Sequence, residues 1–497
     1  MTHFVEALTT LFSFEGLLFI GVGCVVGLLL GAIPGLGGEL AITVMLPVTY
    51  SMNPNIAIGM LVSIWVGSTS GGFIGSILLG IPGTPSSVST VYDGYTMTKN
   101  GDVTRALSIG TLSNFLGTLP SVLIAMLLCP VIASYAVKMG PWEYFALGLM
   151  SIALVVSMSN GRIFKGFISA AIGLLVTQVG YSPISSTPRF TFGTYYLAGG
   201  FNMMSVLVGM FACTMISTSF AKREYLARNF NGKIGKFHVP LKDLKENIGN
   251  IIRSFLIGLG IGILPGMGAA ISNVVAYSVS KASSKEPDRY GTGIAAGIFA
   301  PEVSNNAAVG GAVVPMISLG IPGDGTTALL LSGLLIQGVN AGPLLQTSHP
   351  VFTYMIFLAA LFAAIASLIL EIVGIKAFPL MLKAPYHYLY PAILVLSLLG
   401  TYTNSGNLFA LYMVVFFAVI GLWFNYADIP GTPFLLSFIL GKTLESNFRK
   451  AISYSHGDYL CFFKRPASCV LLIIAIVAIT VSLVKPLLNQ YKQKQEK

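Results

Sequence analysis

Two copies of the motif Gly-x-x-Pro-Gly-x-Gly occur in this chain, at Gly31–Gly37 and Gly262–Gly268, each within a long apolar tract. A second shared phrase follows each copy, at Leu79–Gly83 and Leu319–Gly323. The matching pairs indicate an internal duplication. Pro-Gly interrupts a helix, and unwound backbone is tolerated at membrane depth only where it lines a cavity. Such breaks expose helix-end amides, which suit anions, and carbonyls, which suit cations.

The best candidates for binding an anion lie in the two motifs and in the hydroxyl-rich sequence after the shared phrase. Ser or Thr after Pro-Gly can cap a new helix and leave amides and hydroxyls directed at a carboxylate. The substrate-binding candidates are Pro34, Gly35, Gly37, Pro82, Gly83, Thr84, Ser86 and Ser87, and in the second half Pro265, Gly266, Gly268, Pro322, Gly323, Thr326 and Thr327. The alternative is a Pro-kinked helix with tight glycine packing, which two matched copies disfavour.

Further polar side chains lie inside apolar tracts and could hold a coupling ion. Na⁺ is coordinated by carbonyl, hydroxyl and amide oxygens at close range, and it is the metal ion that this pattern suits. The coupling-ion candidates are Ser68, Thr69 and Ser70 in the first half and Asn273, Glu302, Ser304, Asn305, Asn306 and Asp324 in the second.

Three acids, Glu39, Glu302 and Asp324, lie within or beside apolar tracts, where a charge needs a partner or a role. Glu302 could be a Na⁺ ligand, a proton carrier or a protonated acid in helix packing, and the sequence leaves these roles open. Asp324 would repel an anionic substrate unless it is neutralised or faces elsewhere. Glu39 follows the first motif, where an acid at a helix start is favourable.

Composition fixes the class of protein. Hydrophobic residues make up 54% of the 497 residues and charged residues 9%, with a mean hydropathy of +0.80. These values exclude a soluble protein and are typical of a polytopic membrane protein. The net charge of +10 falls mostly between apolar tracts, where it reports topology, so nucleic-acid binding is disfavoured. Because the sequence has no CxxC pair, His-centred catalytic arrangement or phosphate loop, we expect no enzyme activity and no cofactor.

Charge also divides the chain. The basic segment 221–253 is predicted to be cytoplasmic by the positive-inside rule and separates a first transmembrane repeat, 1–220, from a second, 254–441. Residues 442–497 are predicted to form a cytoplasmic loop, a last transmembrane helix and a basic cytoplasmic tail. The first residues lack Lys and Arg, so the N-terminus is predicted to be periplasmic.

Loop charge indicates how the repeats are related. The gap after the first motif, 49–55, has no Lys or Arg, whereas the matching gap after the second carries Lys281, Lys285 and Arg289. Equivalent loops thus face opposite sides, which predicts inverted repeats. Short apolar runs beside the second motif predict a re-entrant hairpin. The expected fold is an all-α polytopic membrane protein with two inverted-topology repeats, broken helices and about five to six segments per repeat at ~20 residues per span.

Several motifs between about residue 20 and residue 450 resemble those of a known family. They are Gly31–Gly37, Leu79–Pro85, Asp93–Tyr95, Arg105–Leu107, Pro188–Gly193, Gly262–Gly268, Pro301–Ala307 and Gly320–Thr327. On these residues the chain resembles the large membrane subunit of the tripartite tricarboxylate transporters, the TctA family. The resemblance implies a multi-pass permease of the bacterial inner membrane, with a periplasmic solute-binding protein and a small membrane subunit as partners. It also implies uptake of citrate-like carboxylates driven by a cation gradient.

The sequence departs from the family pattern at two places. The turn 180–188 lacks the acid that the family commonly places before Arg189, and Asp324 stands where a small polar residue is expected.

The resulting hypothesis is a secondary active importer of tricarboxylates or dicarboxylates that is coupled to Na⁺ or H⁺. It would work by an elevator-like or rocking movement. The alternatives are an anion channel, a transporter that works without a binding protein, and a membrane-embedded enzyme, for which the ionisable residues are too few. Assembly as a homo-oligomer is compatible with the sequence.

Overall fold

The computed structural model describes residues 2–34, 36–157, 159, 162–182, 184–222, 232–382 and 386–495. The chain divides into two compact units: unit 1 comprises 1–133 and 211–404, and unit 2 comprises 134–210 and 405–497. Within the described ranges the structure is helical apart from loops and one two-stranded hairpin. The predicted all-α membrane fold is confirmed at that level.

The elements follow one another along the chain with short connections. Those of the first half are α1 (Thr2–Leu11), α2 (Phe14–Ala32), α3 (Gly37–Thr49), α4 (Pro54–Leu79), a 3₁₀ turn (Pro85–Ser87), α5 (Thr90–Lys99), α6 (Val103–Ala136), α7 (Pro141–Ser157), α8 (Ile163–Thr177), β1 (Gly180–Tyr181), β2 (Pro188–Arg189), a 3₁₀ turn (Tyr195–Leu197), α9 (Met203–Leu207), a π-helix (Val208–Cys213) and α10 (Thr214–Lys222). Those of the second half are α11 (Leu241–Ile263), α12 (Gly268–Ala282), a 3₁₀ turn (Pro287–Arg289), α13 (Ala296–Leu319), α14 (Gly325–Ile336), α15 (Leu345–Ser348), α16 (Pro350–Gly374), a 3₁₀ turn (Ile375–Ala377), α17 (Phe378–Met381), α18 (Tyr386–Ser405), α19 (Phe409–Tyr426), α20 (Gly431–Tyr454), α21 (Cys461–Lys464) and α22 (Pro466–Gln495).

Six segments of the described chain are long and apolar enough to cross a membrane. They are Phe14–Ala32, Pro54–Leu79, Val103–Ala136, Pro350–Met381, Phe409–Tyr426 and Pro466–Val484. Several other apolar tracts form helices of 10–17 residues. Among them are the helix that follows the first motif, which begins at Gly37, and the helix that follows the second shared phrase, which begins at Gly325. The pattern is that of a multi-pass membrane protein with broken helices.

Unit 1 is centred on α4 and α13. Every residue of α4 from Ile56 to Leu78 and every residue of α13 from Gly297 to Ser318 is buried. A helix that is apolar or small on all sides has protein around its whole circumference. The few polar side chains on these helices therefore lie in the interior of unit 1, where each needs a hydrogen-bond partner.

Helix α11 begins earlier than the sequence suggested. The basic segment predicted to be a loop, 221–253, includes its first thirteen residues, Leu241–Arg253. Charge did not prevent helix formation there because the helix is amphipathic: Ile251 is buried, and Lys242 is exposed. Asp243 is also buried but is paired with Arg105 at 2.7 Å. Residues 223–231 of the same segment lie outside the described chain.

In unit 2, α7 packs against α20 and α22, and α20 also packs against α8. A hairpin of β1 and β2 follows α8, and Arg189 in β2 holds it to α20 by a bidentate pair with Glu445, at 2.7 and 3.0 Å. Such two-pronged pairs fix orientation as well as distance.

Helix α22 lies between two basic stretches, 442–465 and 485–497, that were both predicted to be cytoplasmic. Its part from Pro466 to Val484 is long enough to cross a membrane. One crossing puts the flanking stretches on opposite faces. The two expectations cannot both hold if this helix is a span.

Candidate functional site

The first motif lies at the turn of a helical hairpin. Helices α2 and α4 run parallel at very close range: a Cβ at Gly27 would lie 2.3 Å from the carbonyl oxygen of Ile64, and one at Gly31 would lie 2.2 Å from that of Ser68. The contact positions advance together along both helices, so the helices point the same way. Helix α3 leads from the motif back to the start of α4 and therefore runs in the opposite direction. Gly37 starts α3 with a φ of +61°, a conformation that glycine adopts without strain.

The second motif is built in the same way. A Cβ at Gly258 would lie 2.1 Å from the carbonyl oxygen of Ser304, and one at Gly262 would lie 2.5 Å from that of Ala308, so α11 and α13 are also parallel. The end of α12 returns to the first half of α11, where the Ser280 hydroxyl donates to Asn250 at 2.7 Å. Both helices of this hairpin thus have their outer ends on one side, and α11, with 23 residues, is longer than the short run from which re-entry was predicted.

Helix α6 contacts both α4 and α13, so its direction relative to each shows how the two halves are oriented. Its contacts with α4 give the first direction. Asn114 donates to the carbonyl oxygen of Ser70 at 2.8 Å. Earlier in α6, a Cβ at Gly110 would lie 2.5 Å from the ring of Phe73, which comes later in α4. The contact positions advance in opposite directions, so α6 is antiparallel to α4.

Against α13 the same helix runs parallel. A Cβ at Gly117 would lie 2.5 Å from the carbonyl oxygen of Val303, and one at Gly310 would lie 2.3 Å from the carbonyl carbon of Ser121. Further along, Ser318 donates to the carbonyl oxygen of Cys129 at 3.1 Å. Since α6 is antiparallel to α4 and parallel to α13, the equivalent helices α4 and α13 point in opposite directions.

The first shared phrase turns the chain from α4 into a 3₁₀ turn. Thr84 and Ser87 cap this turn reciprocally, and the hydroxyls of Thr84 and Ser86 are 3.0 Å apart. Ser87 also donates to the carbonyl oxygen of Gly72 at 2.9 Å, and Gly83 donates its amide to the same oxygen at 3.2 Å. Thr84 and Ser87 are buried and engaged within the turn, whereas Ser86 is partly exposed.

The second shared phrase leads into α14 through Asp324. The carboxylate of Asp324 accepts from the amide of Thr327 at 2.8 Å, and the Thr327 hydroxyl accepts from the amide of Asp324 at 2.8 Å. This reciprocal cap places a negative group at the positive end of the helix. The structure thereby accounts for the acid in this phrase: Asp324 occupies the helix-end amides that the sequence suggested for an anion.

Both hairpin turns contact the start of α14. A Cβ at Gly38 would lie 3.6 Å from the methyl carbon of Thr326, and one at Gly268 would lie 2.5 Å from the Cβ of Asp324. Glu39, in the first turn of α3, lies close enough to Asp324 for their charges to interact. The tips of the two duplicated halves therefore meet around the N-terminus of α14.

The remaining candidates of the motifs and phrases lie in these turns. Pro34 and Pro82 are partly exposed, Pro265, Pro322 and Gly323 are buried, and Gly266 has a φ of +82°. Gly35 lies outside the described residues.

The predicted coupling-ion residues fall into separate groups. Ser68 and Thr69 both donate to the carbonyl oxygen of Trp65 in their own helix, at 2.9 and 3.0 Å. Ser304 donates to the carbonyl oxygen of Ser272 at 3.0 Å and so ties α13 to α12. The hydroxyls of these three residues are committed as donors to backbone carbonyls.

Asn306 brings other members of the set together. Its Oδ1 accepts from the hydroxyls of Ser70 and Thr118, at 3.3 and 3.1 Å. Its amide group donates to Asn114 at 2.8 Å and to the carbonyl oxygen of Glu302 at 3.0 Å. All four donor and acceptor positions of this carboxamide are filled by protein.

Glu302, Asn305 and Asn273 are buried and incompletely hydrogen-bonded. Oε1 of Glu302 accepts from the hydroxyl of Thr90, and Oε2 has no partner. Both side-chain polar atoms of Asn305 lack a partner, as does the amide nitrogen of Asn273, whose oxygen accepts from Ser89 at 2.9 Å. Among the described residues no group of three or more His, Cys, Asp or Glu side chains is arranged to hold a metal ion.

Comparison with known proteins matches residues 17–436 to the tripartite tricarboxylate transporter TctA family. The chain belongs to the TctA family. It is 31% identical over 465 residues, 93% of its length and 92% of the relative's, to an uncharacterized 52.8 kDa protein in the TAR-I ttuC′ 3′ region of Agrobacterium vitis. A second uncharacterized protein, from the TAR-II ttuC′ 3′ region of that organism, is 31% identical over 233 residues, 47% of this chain and 96% of the relative. No solved structure matches the chain.

Sequence reasoning about this TctA-family chain missed Glu371. Its carboxyl accepts from Asn114 at 3.4 Å, and it is 1% exposed. The available signal was a single acid inside the apolar tract 351–374. The importance of Asn114 and Thr118 could not be found in this way, because polar residues of their type are common in transmembrane helices.

Asp93 is a further TctA-family motif residue whose contacts the sequence did not suggest. Its buried carboxylate accepts backbone amides from Gly291, Gly293 and Ile294 at 2.9–3.0 Å and the hydroxyl of Tyr277 at 2.9 Å. Asp93 therefore attaches α5 to the loop that precedes α13. This attachment helps to position α13.

Proposed function

We propose that this chain is the large membrane subunit of a secondary active carboxylate importer of the bacterial inner membrane, coupled to Na⁺ or H⁺. It would receive tricarboxylate or dicarboxylate substrates from a periplasmic solute-binding protein and act with a small membrane subunit. Membership of the TctA family supports the transporter class and the partners. The substrate, the coupling ion and the need for a binding protein are the parts that this proposal adds.

One observation carries the mechanism. Two hairpins of the same construction belong to helices that point in opposite directions, and their turns meet at the start of α14. That arrangement supports an inverted repeat with the substrate site at the meeting point. Alternating access would move the hairpins against a more static part of the protein.

Within this site we assign the anion to the first half. Asp324 fills the helix-end amides of the second half, whereas the first half ends in the neutral residues Thr84 and Ser86. Thr326 of the second half faces the first hairpin with its methyl group. At Thr84 and Ser86 a carboxylate would meet hydroxyl groups of the first half rather than the Asp324 carboxyl that caps α14.

Reconstitution tests the proposal. The purified chain with its small subunit and the cognate binding protein, in liposomes, should accumulate a labelled di- or tricarboxylate when a Na⁺ or H⁺ gradient is imposed. Gly266→Leu should abolish uptake because φ at this turn is +82°. Gly260→Leu is the matched control, since no atom lies within 4 Å of its Cβ position.

Three results would count against the proposal. Absence of uptake for all acids under all gradients contradicts it, and downhill flux that needs neither ion nor binding protein favours the channel. Uptake by Gly266→Leu equal to that of the control removes the second hairpin from the site.

A further inference from the structure

Two buried glutamates in unit 1 have no counter-charge among the described residues. Glu302 in α13 is 0% exposed and Glu371 in α16 is 1% exposed. In each carboxyl group Oε1 has a hydrogen-bond donor, Thr90 for Glu302 and Asn114 for Glu371, and Oε2 has none. A carboxyl oxygen that is buried without a partner is rare unless something else occupies that position.

The two glutamates belong to one polar network. Asn306 donates to the carbonyl oxygen of Glu302 at 3.0 Å and to Oδ1 of Asn114 at 2.8 Å, and Asn114 donates to Glu371. The carboxyls are close enough for their charges to interact. Asn306 thus links α13 to α6, and the carboxyl of Glu371 links α6 to α16.

The surroundings of this network are apolar. Phe73, Phe299, Val303 and Phe378 belong to one buried cluster, and the rings of Phe73 and Phe378 meet edge to face at 6.2 Å. Two carboxylates are strongly disfavoured in such a core, because each loses its hydration and the two repel one another. A proton on a carboxyl group removes one negative charge and supplies a donor where none was present.

We propose that Glu302 and Glu371 form a proton-carrying pair that couples H⁺ to transport; this inference rests on the proposed function. One O–H bond forms on a carboxyl oxygen when the proton is bound. The bond breaks, and a carboxylate remains, when the proton is released.

The contacts favour H⁺ over Na⁺ at this pair. Glu302 and Glu371 lie inside the continuous helices α13 and α16, whereas Na⁺ sites in transporters use carbonyls of unwound backbone. The carboxamide oxygens of Asn306 and Asn114 already accept from protein donors. Asn305 in α13 and Thr111 beside Glu371 each supply one further side-chain oxygen without a partner, and neither carries a charge.

An open cavity of about 510 Å³ lies close to Glu302. Ser89 lines this cavity together with Tyr92, Tyr277 and Lys281, and the next residue, Thr90, donates to Glu302. Thr90 itself is fully buried, and its hydroxyl holds the Glu302 carboxyl in place. Thr90 is therefore a positioning residue.

Other titratable groups on the surrounding elements are engaged elsewhere or exposed. Asp93 binds Tyr277 and backbone amides, Arg105 pairs with Asp243, Lys99 lies over the ring of Tyr95, and Lys376 is exposed. A pH response centred on the network can therefore be assigned to the two glutamates.

Infrared spectroscopy of the purified full-length protein, without substrate or partners, tests the pair directly. We expect a protonated-carboxyl C=O band that decreases as pH rises and shifts in D₂O. Glu302→Gln and Glu371→Gln should each remove part of this band, and the double variant should remove the part attributed to both. Glu143→Gln is the control, because Glu143 is also buried but accepts an amide from Gly140 at 2.8 Å.

The proposal is overturned if the pH-dependent band is unchanged in both glutamine variants, or if NaCl removes it when choline chloride does not, which identifies a Na⁺ site. The salt comparison uses protein with wild-type Glu302 and Glu371, and it is repeated with Glu39→Gln and Asp324→Asn so that a Na⁺ effect on these two other acids is not assigned to the pair. Because this measurement involves no uptake, failure to transport carboxylates and failure to bind the proton are distinguishable. In liposomes, Glu371→Gln should retain solute exchange and lose accumulation driven by a pH gradient.

Discussion

The two copies of the duplicated motif share their backbone contacts and differ in their caps. A Cβ at Gly83 would lie 2.3 Å from the carbonyl oxygen of Gly31, and one at Gly323 would lie 3.3 Å from that of Gly262, the equivalent residue. Beyond these contacts, Thr84 caps a single 3₁₀ turn, whereas Asp324 caps the twelve-residue helix α14.

The difference separates two requirements on the same sequence motif. A Cβ would collide with a carbonyl oxygen at Gly83 and with the Cβ of Ala312, at 2.7 Å, at Gly323, so both halves need glycine here for helix packing. The cap residue has no such restriction, and its charge differs between the halves. The comparison indicates that the hairpins are equivalent in their helix packing and differ in the charge of the cap that follows them.

The largest expected effect concerns the glycines between parallel helices. Gly27→Ala and Gly258→Ala each place a Cβ within 2.4 Å of a carbonyl oxygen. Overpacking against rigid backbone costs about 1–3 kcal/mol or more, so both variants should melt well below wild type. Gly21→Ala and Gly260→Ala, in the same two helices with no atom within 4 Å, should melt at or slightly above it. Thermal unfolding in detergent measures all four, and equal behaviour of Gly27→Ala and Gly258→Ala with their controls would break the structural equivalence.

A smaller effect distinguishes the last glycine of each motif. Gly37 and Gly268 have φ values of +61° and +59°, and alanine there is strained by about 1–2 kcal/mol. At Gly268 the new Cβ would also lie 2.5 Å from the Cβ of Asp324, whereas at Gly37 nothing lies within 4 Å. Gly268→Ala should therefore lower the melting temperature more than Gly37→Ala, with Gly260→Ala as reference. The opposite order would show that Asp324 does not press against the second turn.

The smallest effect concerns the cap itself. Asp324→Ala loses the bond from the amide of Thr327 and should cost about 1 kcal/mol, whereas Asp324→Asn keeps an acceptor and should cost less. Both are measured by thermal unfolding and by uptake. Normal uptake by Asp324→Asn means that the acid serves as a cap alone. Loss of uptake at unchanged stability means that its charge belongs to the transport cycle.

Local sequence predicted the duplicated features well. Pro-Gly interrupts a helix wherever it occurs, so the turns after α2 and α11 could be located from the motif. The same reasoning could not decide which element comes after a turn. Ile81–Pro85 and Ile429–Pro433 are identical in sequence, yet the first leads into a short 3₁₀ turn and the second starts the 24-residue helix α20.

The contacts of the buried polar residues could not be predicted from the sequence. Glu302 was found because it lies beside asparagines in an apolar tract. The other members of its network are distant in the chain: Asn114 lies 188 positions before Glu302, and Glu371 lies 69 positions after it. No periodicity connects residues at such separations. Asp93 likewise reaches amides 198–201 positions further on.

The sequence by itself determined that this is a multi-pass membrane protein built from two related halves, because apolar length and helix-breaking residues act locally and repeat visibly. Tertiary structure decided which acids are partnered and which are not. Asp324 finds backbone amides within one helical turn, whereas Glu302 and Glu371 lie in an apolar interior without a counter-charge among the described residues. Burial and partnership arise from helices that meet only after folding, and these set the free energy of a buried charge.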